Sequence, residues 1–349
     1  MKDIAATLRA WMDAGRPFAL ASVVATTGSS PRPLGTALAV DADGTAVGGV
    51  SGGCVEAAVY VRCQEVLESG TAATESFGST EEERFYLGIT CEGSMEVLVV
   101  RVEPDDPAIG AALDAILAGE PVSLVRAVDG PHVGDAVAIS PNGFAGRLEL
   151  GAIDLPAVSG TVRGGAVEGD TAVRFAVEVY SPPPRLLVYG GVDFAAPIVR
   201  VAKTLGFRVT VCDARPVFAT EIRFPDADEV IVDWPHRHFD QAAVDADTAI
   251  VVLTHDAKFD LPLLERALAS EAGYIGALGS RATHRDRLER LREAGLAEDA
   301  LARLRSPIGL DLNGRTADET ALSIVAEIVA VRNDARAGFL TNAEGPIHH

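Results

Sequence analysis

Basic side chains are scarce in this chain. Thirty Lys and Arg stand against 50 Asp and Glu in 349 residues, a formal net charge of −20. Binding to nucleic acid needs clustered cations that neutralise phosphates, and binding to an anionic membrane surface needs them too, so neither partner is expected. Solvated acidic surface is the plain reading of the charge. Long apolar runs are also missing, and no stretch approaches the ~20 residues of a membrane span. Residues 1–20 carry Asp3, Arg9, Asp13 and Arg16 and lack the apolar centre of a signal peptide. Ile4, Leu8, Trp11 and Met12 instead share one helical face. The expected address is cytoplasmic. Cysteine is sparse as well: Cys54, Cys63, Cys91 and Cys212 are the only four, with no C-x-x-C spacing. That excludes a disulfide framework and a zinc signature. It also excludes a pair of iron–sulfur clusters.

What is present is ordinary for a folded protein, with 48% hydrophobic and 23% charged residues. At this length two domains are expected. The clearest boundary is Ser181-Pro182-Pro183-Pro184, since a proline run is a stiff connector that cannot join a central sheet. Residues 1–180 read as one α+β unit, with a division near 104–120 as the alternative. Strands are predicted over 17–27 and 95–103, a hairpin over 36–50 turning at Asp41–Gly44, and helices over 54–68 and 107–118. Short strands fill 121–179. From 185 to 335 short apolar runs alternate with helical stretches, the pattern of a parallel sheet covered on both faces. The fold expected is α/β, an N-terminal α+β domain followed by a Rossmann-like parallel-sheet domain. Thr316 and Glu319 form a capping box ahead of the last helix, whose apolar stripe reads as Leu322, Val325, Ile328 and Val329.

The strand Leu186–Tyr189 runs into Gly190-Gly191-Val192-Asp193-Phe194-Ala195, where a dinucleotide fingerprint belongs. Asp213 ends the next strand, ~20 residues on, where a carboxylate would bind ribose hydroxyls. Gly190 and Asp213 are therefore candidate cofactor-binding residues, and NAD(P) is the ligand that the pattern suggests. The second glycine of the fingerprint is replaced by Val192, which crowds a pyrophosphate, and Asp193 brings negative charge to a helix N-terminus. A working site and a Rossmann fold with an altered or lost ligand both stand at this point. Downstream, His255 reads as a general base or as a loop histidine bonded to Asp256. Gly279-Ser280-Arg281 reads as an anion site or as helix capping. His236 and His238 read as surface loop residues, because no third metal ligand is in view.

Two of the cysteines stand on glycine-rich turns, Cys54 in Gly48–Glu56 and Cys91 in Gly88–Glu96. Cys63 falls on a helix's packing stripe and Cys212 inside a strand. Cys54 is expected at a helix N-terminus, where the dipole favours a thiolate and Glu56 opposes it. Most free cysteines are small buried hydrophobes. The glycine turns argue for a ligand instead, as does the polar loop Thr26–Gly35 with Arg32. Soft sulfur, the backbone of Gly52 and Gly53, and one guanidinium suit a phosphorylated, sulfur-bearing or soft-metal ligand.

At these residues the chain resembles the XdhC/CoxI family of xanthine dehydrogenase accessory proteins. The stretches that carry the resemblance are Ala25–Arg32, Gly48–Glu56, Gly88–Gly93, Leu253–Asp260, Tyr274–Arg281 and Ser306–Glu319, in that order and over nearly the whole chain. The resemblance implies a cofactor-binding chaperone without turnover of its own. It implies binding of molybdenum cofactor (molybdopterin), protection while a terminal sulfur is installed, and delivery to xanthine dehydrogenase or a related molybdenum hydroxylase. A cysteine desulfurase or sulfurtransferase is the second implied partner. A homodimer is expected on general grounds. Cofactor and metal contact falls to Cys54 and Cys91, with Gly52, Gly53 and Arg32 beside the pterin phosphate. Relatives commonly carry Gly-x-Gly-His where this chain has Gly190–Asp193. The competing readings are an NAD(P)-dependent oxidoreductase using Asp213, and a redox sensor using a Cys54–Cys91 disulfide.

Overall fold

The computed structural model describes residues 1–27, 32–78, 93–150, 155–156, 159–165 and 172–343. The chain separates into two compact units, Met1–Pro182 and Pro183–Ala343.

The first unit contains two antiparallel sheets. One is built from β1 (Phe18–Thr27), β2 (Ala37–Asp41), β3 (Ala46–Gly48), β4 (Ala73–Phe77) and β5 (Ser94–Val102), in the order β3-β2-β1-β5-β4. The other is built from β6 (Val122–Ala127), β7 (Ala136–Ser140), β8 (Gly143–Gly146), β9 (Gly160–Gly165) and β10 (Ala172–Tyr180), in the order β8-β7-β6-β10-β9. Alternation along β1 decides what lies on each face. Phe18, Leu20 and Val24 join a core with Leu8, Trp11 and Met12 of α1 (Ala5–Asp13) and Ile109 and Leu113 of α3 (Pro107–Ala118). Ala19, Ala21 and Val23 join a second core with Val59, Cys63 and Val66 of α2 (Glu56–Ser69). The predicted hairpin is present, its turn held by Asp41 Oδ1, which accepts from the N–H groups of Asp43 and Thr45 at 3.0 and 2.8 Å. Asp106 caps α3 by accepting from Ala108 and Ile109. Within the second sheet, Arg126 of β6 pairs with Glu178 of β10, both fully buried, and the Tyr180 hydroxyl donates to the same carboxylate.

The second unit is one parallel sheet. It comprises β11 (Arg185–Tyr189), β12 (Arg208–Asp213), β13 (Glu229–Val232), β14 (Thr248–Val252), β15 (Tyr274–Ala277) and β16 (Leu304–Arg305), in the order β13-β12-β11-β14-β15-β16. Numbered within the unit, this is the 3-2-1-4-5-6 order of a doubly wound dinucleotide-binding sheet, whose topological switch point falls between β11 and β14. Both faces of β11 are buried: Leu186 and Val188 in one core, Leu187 and Tyr189 in the other. The first core is covered by α4 (Ala195–Thr204) and α9 (Ala317–Arg332). The second is covered by α6 (Ala257–Leu268), with α5 (Pro235–Gln241), α7 (Arg281–Glu293) and α8 (Glu298–Leu301) also contributing. The fold class expected from the sequence is the one observed.

Two expectations need correction. The capping box of Thr316 and Glu319 is formed, but the buried face of α9 is Ala321, Ile324, Val325 and Ile328, while Leu322 is 52% exposed. Val325 and Ile328 of the expected stripe are buried, and Val329 is half-buried. His236 and His238 are not on a surface loop. They lie in α5 and are half-buried, with His238 Nδ1 3.1 Å from the Tyr189 hydroxyl. Burial pushes the His238 imidazole pKa down.

Candidate functional site

The thiol loop leaves β3 at Gly48, which has φ +83° because a Cβ there would lie 2.2 Å from the Ala37 carbonyl oxygen. Val50 and Val55 sink fully into the α2 core and fix both ends of the loop. Between them the backbone folds back on Glu56, the first residue of α2. Glu56 Oε1 accepts from the Ser51 N–H at 2.8 Å; Oε2 accepts from the Ser51 hydroxyl at 2.5 Å and the Gly53 N–H at 2.9 Å. Burial works against the Glu56 charge, but these hydrogen bonds outweigh it and hold the carboxyl below its ordinary range. The Cys54 thiol donates to Ser51 Oγ at 3.3 Å and is half-buried, with its apolar side against the α2 core. Arg32 Nε donates to the Ser51 carbonyl at 2.9 Å. Among the described residues, a Cβ on Gly52 or Gly53 would meet nothing within 4 Å.

Cys54, Gly52, Gly53 and Arg32 are thus gathered around one residue, Ser51, which has no motif of its own to mark it in the sequence. Its partner Glu56 stands out in the sequence only as a charge opposing a thiolate. Cys91 lies outside the described residues, as do Gly28–Pro31 of the neighbouring polar loop. Cys63 is buried, and burial pushes its thiol up to about 12; Cys212 is raised to about 12 by burial as well. Both are packing residues. Among the described residues, no group of three or more His, Cys, Asp or Glu is arranged to hold a metal ion. Among them too, no helix is long and apolar enough to cross a membrane.

The second unit places its motif residues at the carboxyl ends of the strands. Gly190 has φ +117°, and a Cβ there would meet Thr254 Cγ2 at 2.9 Å. A Cβ on Gly191 would meet the Phe218 carbonyl oxygen at 2.5 Å. Both glycines are therefore required by the chain's own packing at the switch point. Asp213 is buried, and its oxygens accept from the Gly191 N–H (2.8 Å) and from Arg215 N, Nε and Nη2 (2.9, 2.9 and 2.7 Å). Burial opposes the charge, yet these donors hold the carboxyl below the aspartate range. A carboxylate offers about four acceptor positions, and here four donors fill them. Arg215 also lies 4.2 Å over the Phe218 ring. Val192 packs into the core, and Asp193 is 97% exposed. This turn fits a dinucleotide poorly: the acceptor positions of Asp213 are taken by the chain's own donors, and Val192 stands where the fingerprint has its second glycine.

Three motif stretches converge a few strands along. The Thr254 hydroxyl donates to Asp260 Oδ1, and Arg287 Nη2 lies 3.1 Å from Asp260 Oδ2. Arg287 also donates to the Leu278 carbonyl at 3.2 Å and to Ser306 Oγ at 3.3 Å. Asp260 and Arg287 are buried together, tying the ends of β14, β15 and β16. Burial pushes the Asp260 carboxyl up, against the pull of Thr254 and Arg287. Around this pair, His255 is exposed, Asp256 caps α6, and Ser280 caps α7 by accepting from Thr283 N.

A thiol loop on an antiparallel unit, joined in one chain to a doubly wound parallel sheet of Rossmann order, defines a two-unit α/β protein. The family models agree. The XdhC and CoxI family model matches residues 11–78, and the XdhC Rossmann domain model matches 186–328. The chain belongs to the XdhC and CoxI family. It is 28% identical over 318 residues to a protein of Escherichia coli named molybdenum cofactor insertion chaperone PaoD, covering 91% of this chain and 84% of that one. It is 26% identical over 317 residues to a Bacillus subtilis protein named as a probable xanthine dehydrogenase subunit, covering 90% and 92%. A crystal structure from Bacillus halodurans, described as a xanthine dehydrogenase, superimposes with a TM-score of 0.72 at 26% identity over 97% of this chain and 98% of that one.

Proposed function

We propose that this protein is a maturation factor that carries molybdenum cofactor to a xanthine dehydrogenase-like client. The observation that supports this reading most is Cys54, a half-buried thiol on a loop that Glu56 and Arg32 hold in place, in a chain related to a named cofactor insertion chaperone. The cofactor is cargo here, a pterin dithiolene phosphate with a soft, sulfur-rich metal end. A cysteine thiolate matches that end, and Arg32 matches the phosphate through its guanidinium. Gly52 and Gly53 leave room for the pterin to approach the main chain. In this reading Cys91 is a second sulfur contact, and a cysteine desulfurase or sulfurtransferase supplies the terminal sulfur before transfer. The chain binds, shields and releases; it performs no redox turnover.

Incubation of purified protein with molybdenum cofactor, followed by desalting and metal analysis, tests this. Wild-type protein is expected to retain molybdenum stoichiometrically, and Cys54→Ala to retain less. Unchanged retention in the Cys54→Ala, Cys91→Ala double variant would sink the cysteine assignment.

A further inference from the structure

A polar crevice of about 240 Å³ opens in the first unit at the carboxyl end of β5. Arg101 of β5, Asp106 at the head of α3, Asp135 just before β7 and Arg147 just after β8 all border it. Gly134 has φ +91°, and a Cβ there would lie 2.8 Å from the Ala72 Cβ. The turn before β7 therefore lies tight against the turn before β4, and both form crevice wall. The fold uses each charged residue only in part. Arg101 donates through Nε to Glu103 Oε1 and through Nη1 to the Leu67 carbonyl, both at 2.7 Å, which leaves Nη2. Asp106 Oδ1 caps α3, which leaves Oδ2. Asp135 Oδ2 lies 3.1 Å from His132 Nδ1, which leaves Oδ1. Arg147 is exposed, and its guanidinium makes no hydrogen bond or ion pair with any described residue.

Two cations and two anions therefore share one small space, and neither cation pairs with either anion. A plain anion entering here would meet Asp106 and Asp135, and a plain cation would meet Arg101 and Arg147. A molecule that carries both signs meets neither conflict. We propose that the crevice binds a small α-amino acid, with its carboxylate on Arg101 and Arg147 and its ammonium on Asp106 and Asp135. A guanidinium matches a carboxylate through parallel N–H donors, and an ammonium offers its own donors to carboxylate oxygens. The helix α2 ends at Gly70 on the crevice wall, so the negative end of its dipole also favours the ammonium. The volume lies below the roughly 300–1,000 Å³ of sites for drug-sized ligands, which suits a short side chain. A zwitterion also escapes the repulsion that a chain of net charge −20 exerts on anions. The crevice shares no residue with the thiol loop, and its test uses no cofactor.

Saturation-transfer NMR on the full chain decides it, with glycine, L-alanine, L-serine and L-cysteine as probes. Propionate and ethylamine serve as the alanine frame without its ammonium or without its carboxylate. At least one of the amino acids is expected to bind with a Kd of ~1 mM, inside the per-atom ceiling for so small a ligand. Propionate and ethylamine are expected to bind ~10-fold more weakly or not at all, since each leaves one pair of charged residues unmatched. Arg147→Gln and, separately, Asp135→Asn are expected to raise the amino-acid Kd by ~10-fold or more, the effect of losing a hydrogen bond to a charged group. Both substitutions keep the side chain polar and close in size, and circular dichroism checks that the variants fold. No transfer to any of the four amino acids at ~20 mM overturns the proposal. So does propionate or ethylamine binding as tightly as L-alanine, which would make this a site for a plain ion. An amino-acid Kd that neither variant changes overturns it as well.

Discussion

Glu56 does for the thiol loop what a capping residue does for a helix: it collects N–H and O–H groups that the chain would otherwise leave without partners. A loop fixed in this way presents Cys54 in one position, so its geometry depends on a charge two residues away. Glu56→Gln keeps the size and removes the charge. It is expected to cost about 1–2 kcal/mol, the value of hydrogen bonds to an ionised acceptor, measured by urea unfolding, and to lower cofactor retention. The pH dependence follows from the sign. Because the folded carboxyl sits below its ordinary range, its contribution is fully present above the unfolded glutamate value near ~4.3 and is lost as pH falls through the folded value. The stability gap between wild type and Glu56→Gln is therefore expected to close in acid and to stay constant from mild acid upward. A gap that widens in acid would contradict this role. The glycines around Cys54 are legible as a special turn, because glycine density is a local signal. The carboxylate's partners are not, because they are backbone groups brought back by that turn.

At the level of elements, apolar periodicity reveals the parallel strands and most helices, since strands buried on both faces and helices on one leave their period in the sequence. It fails at single positions that packing decides. On α9 the large Leu322 looks inward by hydropathy, yet small Ala321 and Ser323 face in, where they let the helix approach its neighbours closely. Nor does it show which side chains of α7 are buried: Arg287 is 4% exposed and bonded to Asp260 27 positions away. Arg287→Met leaves Asp260 buried without its cation while Leu278 and Ser306 lose a shared donor. The expected loss is about 3–5 kcal/mol, read from chemical denaturation, as for any buried ion pair broken on one side. Asp260→Asn in the same background should recover part of it, because the buried charge is then gone. Failure to recover would mean that Arg287 acts by packing alone.

For the molecule as a whole, strand order is beyond the sequence, since alternating strands and helices fit several parallel arrangements. The observed 3-2-1-4-5-6 order is the one that puts a ligand at the ends of β11 and β14 in dinucleotide enzymes. The misfit at Val192 is visible in the sequence; the occupation of Asp213 by the chain's own donors is not. Gly190 and Gly191 look like room for phosphate, but a Cβ on either would strike Thr254 or Phe218, so the chain's own packing already calls for glycine there. Asp213 looks like a ribose ligand until its four internal donors are counted.

That count has a thermodynamic consequence. A protein whose folded form alone binds a ligand gains stability as RT ln(1 + [L]/Kd), so its unfolding midpoint climbs with ligand concentration. In this chain Arg215 and the Gly191 N–H hold the place of such a ligand, at a concentration that never varies because they are covalently part of the fold. The unfolding midpoint is therefore expected to stay flat from zero to ~5 mM NAD(H) or NADP(H), measured by differential scanning calorimetry. A climbing midpoint would mean that the Asp213 clamp opens to admit the nucleotide. If it stays flat, the second unit keeps the same resistance to heat whether the cell's nucleotide pool is full or empty.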